Sequence, residues 1–315
     1  MQPLNLVLVA PIRATSASRT HCSPDFKTLL AQGTVIRFSR KYDPSRLADK
    51  TDRITQNMKI ATWNVNSLKV RQQHVIDWLE LSHTDVLCLQ ELKLPDDKFP
   101  HAEFAAKGYR SWCAGQKTYN GVGILVREGI EVDETDIVRN IPGFDDPQQR
   151  VIAATVGGKR IVSAYFPNGQ APGTEKFAYK LRWLEALAGW LAGELTRYSS
   201  LALLGDYNIA PEDRDVHDPQ AWQGQNLVSP DERAAFSKLI ELGFVDSFRQ
   251  FEQPEKTFTW WDYRMLAFRR NAGLRIDHIL LSPALAATCT HCEVDKTPRK
   301  WDQPSDHAPV IAQIG

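Results

Sequence analysis

No apolar run in this 315-residue sequence approaches the length of a membrane span, which points to a soluble protein with no membrane partner. Net charge is also missing, because 38 Lys and Arg balance 38 Asp and Glu. Bulk charge therefore gives no pull toward nucleic acid or an anionic surface. Cysteine is sparse: Cys22, Cys88, Cys113, Cys289 and Cys292 form an odd, scattered set that suits a reducing, cytoplasmic compartment. Cys289 and Cys292 make a lone CxxC around His291, and zinc would need a second ligand pair of similar spacing that is not obvious. Internal repeats, low-complexity tracts and coiled-coil heptads are absent, so a monomer is the default.

What is present divides unevenly. Residues 1–57 hold nine Lys and Arg against four Asp and Glu, while the remainder carries an acidic excess. NLVLVAPI lacks a basic leader and a cleavage site, which argues against a secretory signal. RKYDPSRLADKTDRITQN is polar, charged and without period, and reads as a linker. Met58 stands directly before the first strand-like run. Residues 1–57 are thus expected to be a poorly ordered extension or linker, with translation starting at Met58 as one explanation and a targeting or basic arm as another. Residues 58–315 are expected to form a single catalytic domain.

From Met58 the pattern alternates strands with helices. KIATWN, DVLCLQE, GVGILV, RVIAATV, RIVSAYF, SLALLGD, RIDHILLS and APVIAQI read as strands. VRQQHVIDWLELS, KFAYKLRWLEALAGWLAGEL and PDERAAFSKLIELG read as helices, the second with Trp183, Leu184, Leu187 and Leu191 on its core face. Several strands run consecutively with short turns. This favours an α/β architecture of two sheets packed face to face with helices outside.

The apolar runs end in unusual residues. TWNVNS places Asn64 and Asn66 at a strand tip, LQELK places Glu91, and YFPNG carries Tyr165 and Asn168. GDYNIAP carries Asp206 and Asn208, GLRIDHIL carries Asp277, and SDHAP carries Asp306 and His307. Carboxylates, amides and an imidazole at several strand ends point to one shared polar site suited to a hard cation and phosphate ester chemistry. Each residue alone has a plainer reading: a solvated acid for Glu91, turn chemistry for the Asn residues, packing for Tyr165. Gly205 is expected to let the chain turn after SLALL. Asp206 and Asn208, two apart, share a side if strand geometry persists. Asp277 can fix the tautomer of His307, while His278, of opposite parity, reads as structural.

In this order the stations resemble the exodeoxyribonuclease III family of apurinic/apyrimidinic (AP) endonucleases, within the endonuclease/exonuclease/phosphatase superfamily. The resemblance covers residues 58–315. GDYNIAPEDRDV, FTWWDYR, NAGLRIDHILLS and SDHAPV are close to its bacterial branch. It implies a four-layer αββα sandwich of two mixed sheets. It implies Mg²⁺, with Mn²⁺ as substitute, held by Glu91 with Asn64 and Asp306. Asp206 would position or activate water, Asn208 and Tyr165 would hold the phosphate, and His307 with Asp277 would stabilise developing charge. Asn66 stands where some relatives carry Asp, which puts a second metal ion in doubt.

The implied substrate is duplex DNA with abasic sites or 3′ ends. Trp260, Leu274 and Ile276 match the family's pocket for the abasic sugar, with core packing as the alternative. Tyr119, Asn120, Asn168, Lys180 and Arg264, with Asn66, match substrate-facing positions. Residues 256–300 hold eight Lys and Arg against four acids, with Trp260, Trp261, Tyr263 and Phe268 as stacking candidates. Basic and aromatic loops of this kind suit a bent duplex. The rivals are a sister phosphoesterase acting on RNA or another phosphoester, and a homologue that binds DNA with weak catalysis.

Overall fold

A computed structural model describes residues 57–315. The expected extension at 1–57, with Cys22, lies outside the described residues apart from Asn57. The first sheet contains β1 (Met58–Asn64), β2 (Val86–Gln90), β3 (Tyr109–Ala114), β4 (Val122–Arg127), β11 (His291–Val294) and β12 (Val310–Ile314). Its order is β11-β12-β1-β2-β4-β3. The second contains β5 (Val132–Arg139), β6 (Val151–Val156), β7 (Lys159–Tyr165), β8 (Leu201–Asp206), β9 (Val245–Asp246) and β10 (Asp277–Leu281), in the order β5-β6-β7-β8-β10-β9.

Both sheets follow one plan. A parallel central pair is joined through a long helix: β1 to β2 through α1 (Leu68–Ser82), and β7 to β8 through α2 (Glu175–Arg197). Antiparallel strands flank each pair. The sequence shows no repeat, yet the topology is duplicated, because strand order depends on apolar pattern and loop length rather than on residue identity.

Continuous apolar runs form the central strands because both faces of each are covered. In β2, Val86 and Cys88 enter the core between the sheets, while Leu87 and Leu89 pack under α1 with Trp63, Trp78 and Leu79. In β8, Ala202 and Leu204 face the other sheet, while Leu201 and Leu203 meet α2 through Trp183, Leu184, Leu187 and Leu191. The result is the expected four-layer sandwich, helix on sheet on sheet on helix. Caps fix the helix starts near the functional end. Thr174 accepts from Phe177 N at the start of α2. Ser229 and Glu232 form a capping box at α3 (Pro230–Glu241), which satisfies otherwise orphaned amides.

Gly205 departs from expectation. It does not turn the chain but lies within β8, in register with Ala164 of β7. A Cβ there would lie 1.8 Å from the Ala164 carbonyl oxygen, far inside contact distance, so glycine permits a close approach of two backbones. Gly205→Ala is expected to destabilise the domain by about 3 kcal/mol through overpacking. Urea unfolding followed by tryptophan fluorescence measures this; a variant as stable as the parent would contradict the close approach.

Candidate active site

Asn64 ends β1, Glu91 follows β2, Tyr165 ends β7 and Asp206 ends β8. All four stand at the carboxyl ends of the parallel pairs, where open α/β sheets bind ligands. β10 runs antiparallel to β8, which puts its first residue, Asp277, directly opposite Asp206. Asp306 and His307 lie in the segment leading into β12.

Hydrogen bonds stitch the two sheets together at this end. Asn64 Nδ2 donates to Glu91 Oε1 at 3.0 Å and to Asp206 Oδ2 at 2.9 Å. Asn66 N donates to Asn64 Oδ1 at 2.9 Å, so every polar atom of this buried amide is engaged and its orientation is fixed. The Tyr165 hydroxyl donates to Glu91 Oε1 at 2.9 Å. His307 Nδ1 meets both Asp277 oxygens, at 2.9 and 3.1 Å, and its Nε2 lies 3.8 Å from Asp206 Oδ2.

Asp206 and Asn208 are brought together differently from the expected strand continuation. The chain leaves β8 after Asp206, and Asn208 takes a left-handed φ of 51°. Asp206 Oδ1 accepts from Asn208 N at 2.9 Å, and Asn208 Nδ2 reaches Asp206 Oδ2 at 3.2 Å and Phe166 O at 3.1 Å. An Asx-type turn thus coexists with the site and orients its carboxylate. His278 is buried, bonded to Ile209 O and Arg275, as its strand parity requires. Burial and the Arg275 charge push it down to about 4.

Burial and charge set the protonation states. Burial raises Asp206 to about 7, opposed by the positive His307 and reinforced by Asp277. Burial lowers His307, but Asp277 and then Asp206 overcome it and raise the imidazole to about 10. Burial would also raise Glu91; the Lys93 ammonium, 2.8 Å from Oε2, and the Asn64 amide outweigh it and hold the carboxyl low. Asp306 is likewise held low against burial by His307, Trp260 and Asn66. Burial, Glu91 and Asp206 raise the Tyr165 phenol well above its ordinary range, which keeps it a protonated donor.

Two places offer cation ligands. Ligand atoms of Asp206, Asp277 and His307 all lie within 4.8 Å of one another. In that trio His307 is held protonated by Asp277 and Asp206, and a protonated imidazole has no lone pair to give. Glu91 and Asn64 meet directly. Asp306 joins them through Asn66, which donates to Asp306 Oδ1 at 2.9 Å and accepts from Lys93 at 2.5 Å. The carboxylate oxygens of Glu91 and Asp306 are hard donors without thiolate or imidazole and fit Mg²⁺ or Mn²⁺, whereas Asn64 faces Glu91 with its N–H, its oxygen being held by Asn66 N, and so orients that carboxylate.

The substrate-facing candidates separate on burial. Tyr119 is 67% exposed, and Asn168 is exposed beside Asn208, to whose Oδ1 it donates at 3.0 Å. Asn120 is buried against Gln116 and Gln148. Tyr119, Asn168, Arg150, Gln148, Lys176 and Tyr179 border an open groove of about 640 Å³. Arg264 is exposed and paired with Asp262. Lys180 is not a surface residue: it is fully buried and bound to Glu232, so it cannot touch DNA. Arg275 and Arg299, counted in the basic segment, are also internal. Arg275 is bound to Asp215 and Asp246, and Arg299 lies over the rings of Phe268, Trp261 and Tyr263.

Leu274 and Ile276 are buried in a cluster with Val216, Leu227 and Val228, and Trp260 and Trp222 at its edge are partly exposed. Trp261 is fully buried, which removes it as a stacking candidate. Exposed apolar side chains instead come from Tyr263, Met265 and Leu266, the last two unremarked in the sequence. Lys93 and Arg150 were also missed. Lys93 stands two residues beyond Glu91. Arg150 opens the run RVIAATV and lies 4.9 Å over the Tyr165 ring.

Comparison with known proteins agrees with this fold. Residues 61–307 match the endonuclease/exonuclease/phosphatase family. Exodeoxyribonuclease III of Haemophilus influenzae is 34% identical over 270 residues, covering 82% of this chain and all of the relative. A 3′ phosphatase from Neisseria, NExo, solved with a product DNA hairpin, is 47% identical with a TM-score of 0.79, covering 82% of this chain and 99% of that one. An AP endonuclease from Archaeoglobus fulgidus is 39% identical with a TM-score of 0.76, covering 81% and 98%. The chain belongs to the endonuclease/exonuclease/phosphatase family.

Proposed function

We propose that this protein is a divalent-metal-dependent DNA repair nuclease that hydrolyses the phosphodiester 5′ of abasic sites in duplex DNA. The observation that carries the reading is the buried Asp206 carboxylate, flanked by the His307–Asp277 pair and bridged through Asn64 to Glu91. A second activity, removal of 3′-terminal nucleotides or blocking groups, is favoured by the higher identity to the Neisseria 3′ phosphatase (47%) than to the Archaeoglobus AP endonuclease (39%).

Asp206, raised toward neutrality, takes a proton from the attacking water. The imidazolium of His307, held charged by Asp277, neutralises negative charge as it builds on the phosphate. Both N–H groups of Asn208 are committed to Asp206 and Phe166, so Asn208 orients the base. Exposed Asn168 gives one N–H to Asn208 and keeps the other for a phosphate oxygen. Glu91 and Asp306, with Asn64 orienting Glu91 through its N–H, would hold Mg²⁺ or Mn²⁺, which supplies charge neutralisation and Lewis acidity at the phosphate. Cleavage leaves a 3′-hydroxyl and a 5′-deoxyribose phosphate.

Duplex binding rests on exposed groups. Met265 and Leu266 project 77% and 62% exposed between the exposed Arg264 and the exposed Arg269 and Arg270, a basic loop with an apolar tip suited to a deformed groove. An abasic sugar has no base to unpair, so its extrusion toward the Trp260 edge costs less than flipping a normal nucleotide. No helix among the described residues is long and apolar enough to cross a membrane. The four cysteines among the described residues are free, which suits a cytoplasmic setting, and one chain carries every group named here.

A duplex with one abasic-site analogue is expected to be incised 5′ to the lesion with Mg²⁺ and left intact with EDTA. Failure of folded, metal-supplied protein to incise moves the reading to another phosphoester. Asp206→Asn and Glu91→Ala should each lower kcat by about 10²–10⁴-fold, with duplex affinity by fluorescence anisotropy retained; wild-type turnover in both would sink the assignment.

The pH profile follows from two opposite requirements. Asp206 must be ionised, so the rate rises through about pH 7. His307 must be protonated, so it falls as pH passes about 10. Removing the Asp277 charge removes what raises His307, so Asp277→Asn should move the alkaline limb to lower pH. An unmoved limb would contradict this role for the pair.

A further inference from the structure

Lys180 lies in α2 beneath the site, fully buried, and its partner Glu232 is equally buried. Its ammonium donates to three acceptors on three segments: Asn168 O at 3.2 Å, Asn208 O at 2.7 Å and Glu232 Oε1. Glu232 in turn accepts from Leu227 N at 3.0 Å, Ser229 N at 3.1 Å and Ser229 Oγ at 2.6 Å. The pair therefore joins the loops after β7 and β8 to the one that carries Leu227, part of the cluster around Leu274 and Ile276. Room for the lysine stem is built in: a Cβ at Gly169, which has a φ of +88°, would lie 2.9 Å from Lys180 Cδ.

A buried ion pair is weak support for stability, because desolvation offsets most of the attraction. What this pair does supply is geometry. Three backbone or carboxylate oxygens converge on one ammonium, whose three N–H groups are not confined to a plane. The two carbonyls it holds belong to Asn168 and Asn208, whose side chains meet at 3.0 Å. Asn208 in turn orients Asp206 through two hydrogen bonds.

We propose that Lys180, with Glu232, is a positioning residue for catalysis that sets Asn168 and Asn208 relative to Asp206 without touching substrate. This rests on the nuclease reading above. It makes Lys180 act on turnover through those two amides rather than on DNA affinity.

The test is a double-mutant cycle on kcat with the abasic duplex. Lys180→Met is combined with Glu232→Gln, so that no lone buried charge remains, and is measured with and without Asn168→Ala. The Lys180→Met/Glu232→Gln protein is expected to lose about 10- to 100-fold in kcat, with KM and anisotropy affinity within about threefold. The same pair of changes should cost much less in the Asn168→Ala background, because residues acting through one another are not additive. Lys180→Arg keeps the charge but presents a planar fork, and is read in the same way if the uncharged pair does not fold. Turnover within about threefold of wild type in a folded variant, or a penalty identical in both backgrounds, overturns the positioning role. Absence of incision by the wild-type protein alongside would instead remove the nuclease reading, and this inference with it.

Discussion

The site depends on one buried amide. Asn64 sits at the tip of a strand in one sheet and donates to carboxylates that belong to different sheets, Glu91 and Asp206. Two anions at the same end of a sandwich repel, and in a dry interior that repulsion is strong. An amide with two N–H groups satisfies both without adding charge. Its own oxygen is taken by Asn66 N, so the side chain cannot flip without leaving buried polar groups unpaired. Tyr165 on Glu91 and His307 on Asp277 repeat the arrangement across the same seam. The sheets are thus packed by apolar residues between them and registered by polar ones at their end.

Charge is separated along that seam. Glu91 is ionised beside Lys93, in an oxygen-rich part that suits a hard cation. Asp206 lies beside an imidazolium that is itself balanced by Asp277. Two carboxylates in one cleft therefore have opposite tendencies, one held low and the other raised, a division that would let a single site supply both a ligand and a base. The distinction comes from neighbours rather than from the carboxylates themselves. Deeper in the fold, Lys180 and Arg275 are buried cations, the first held by Glu232 and two backbone carbonyls, the second by Asp215 and Asp246.

Much of this was legible in the chain. The eight apolar runs read as strands are strands, and the central ones are apolar on both faces because both are covered. The strands not anticipated are β3, β5, β9 and β11, the four edges of the two sheets. Edge strands pair on one side only and carry polar or short sequences, as in VDETDIVR and HCEV, so periodicity says little about them. The candidate site residues were visible because each stands at one end of a buried run: Asn64, Glu91, Tyr165 and Asp206 at or just past its close, Asp277 at its start, Asp306 and His307 just before it. Two of the misread positions were cations. Lys180 and Arg275 looked like surface charges because their partners, Glu232 and Asp215, are 52 and 60 residues away. Gly205 looked like a turn because the carbonyl it accommodates belongs to another strand.

The central claim is that a metal ion and the water-activating base occupy separate parts of the site: the ion at Glu91, the base at Asp206 with His307. Anomalous diffraction from crystals soaked in Mn²⁺ tests it most directly. The account predicts a peak bonded to the Glu91 carboxylate, with the His307–Asp277 pair intact. A peak confined to Asp206, Asp277 and His307, with the imidazole turned from Asp277 onto the metal, would contradict it.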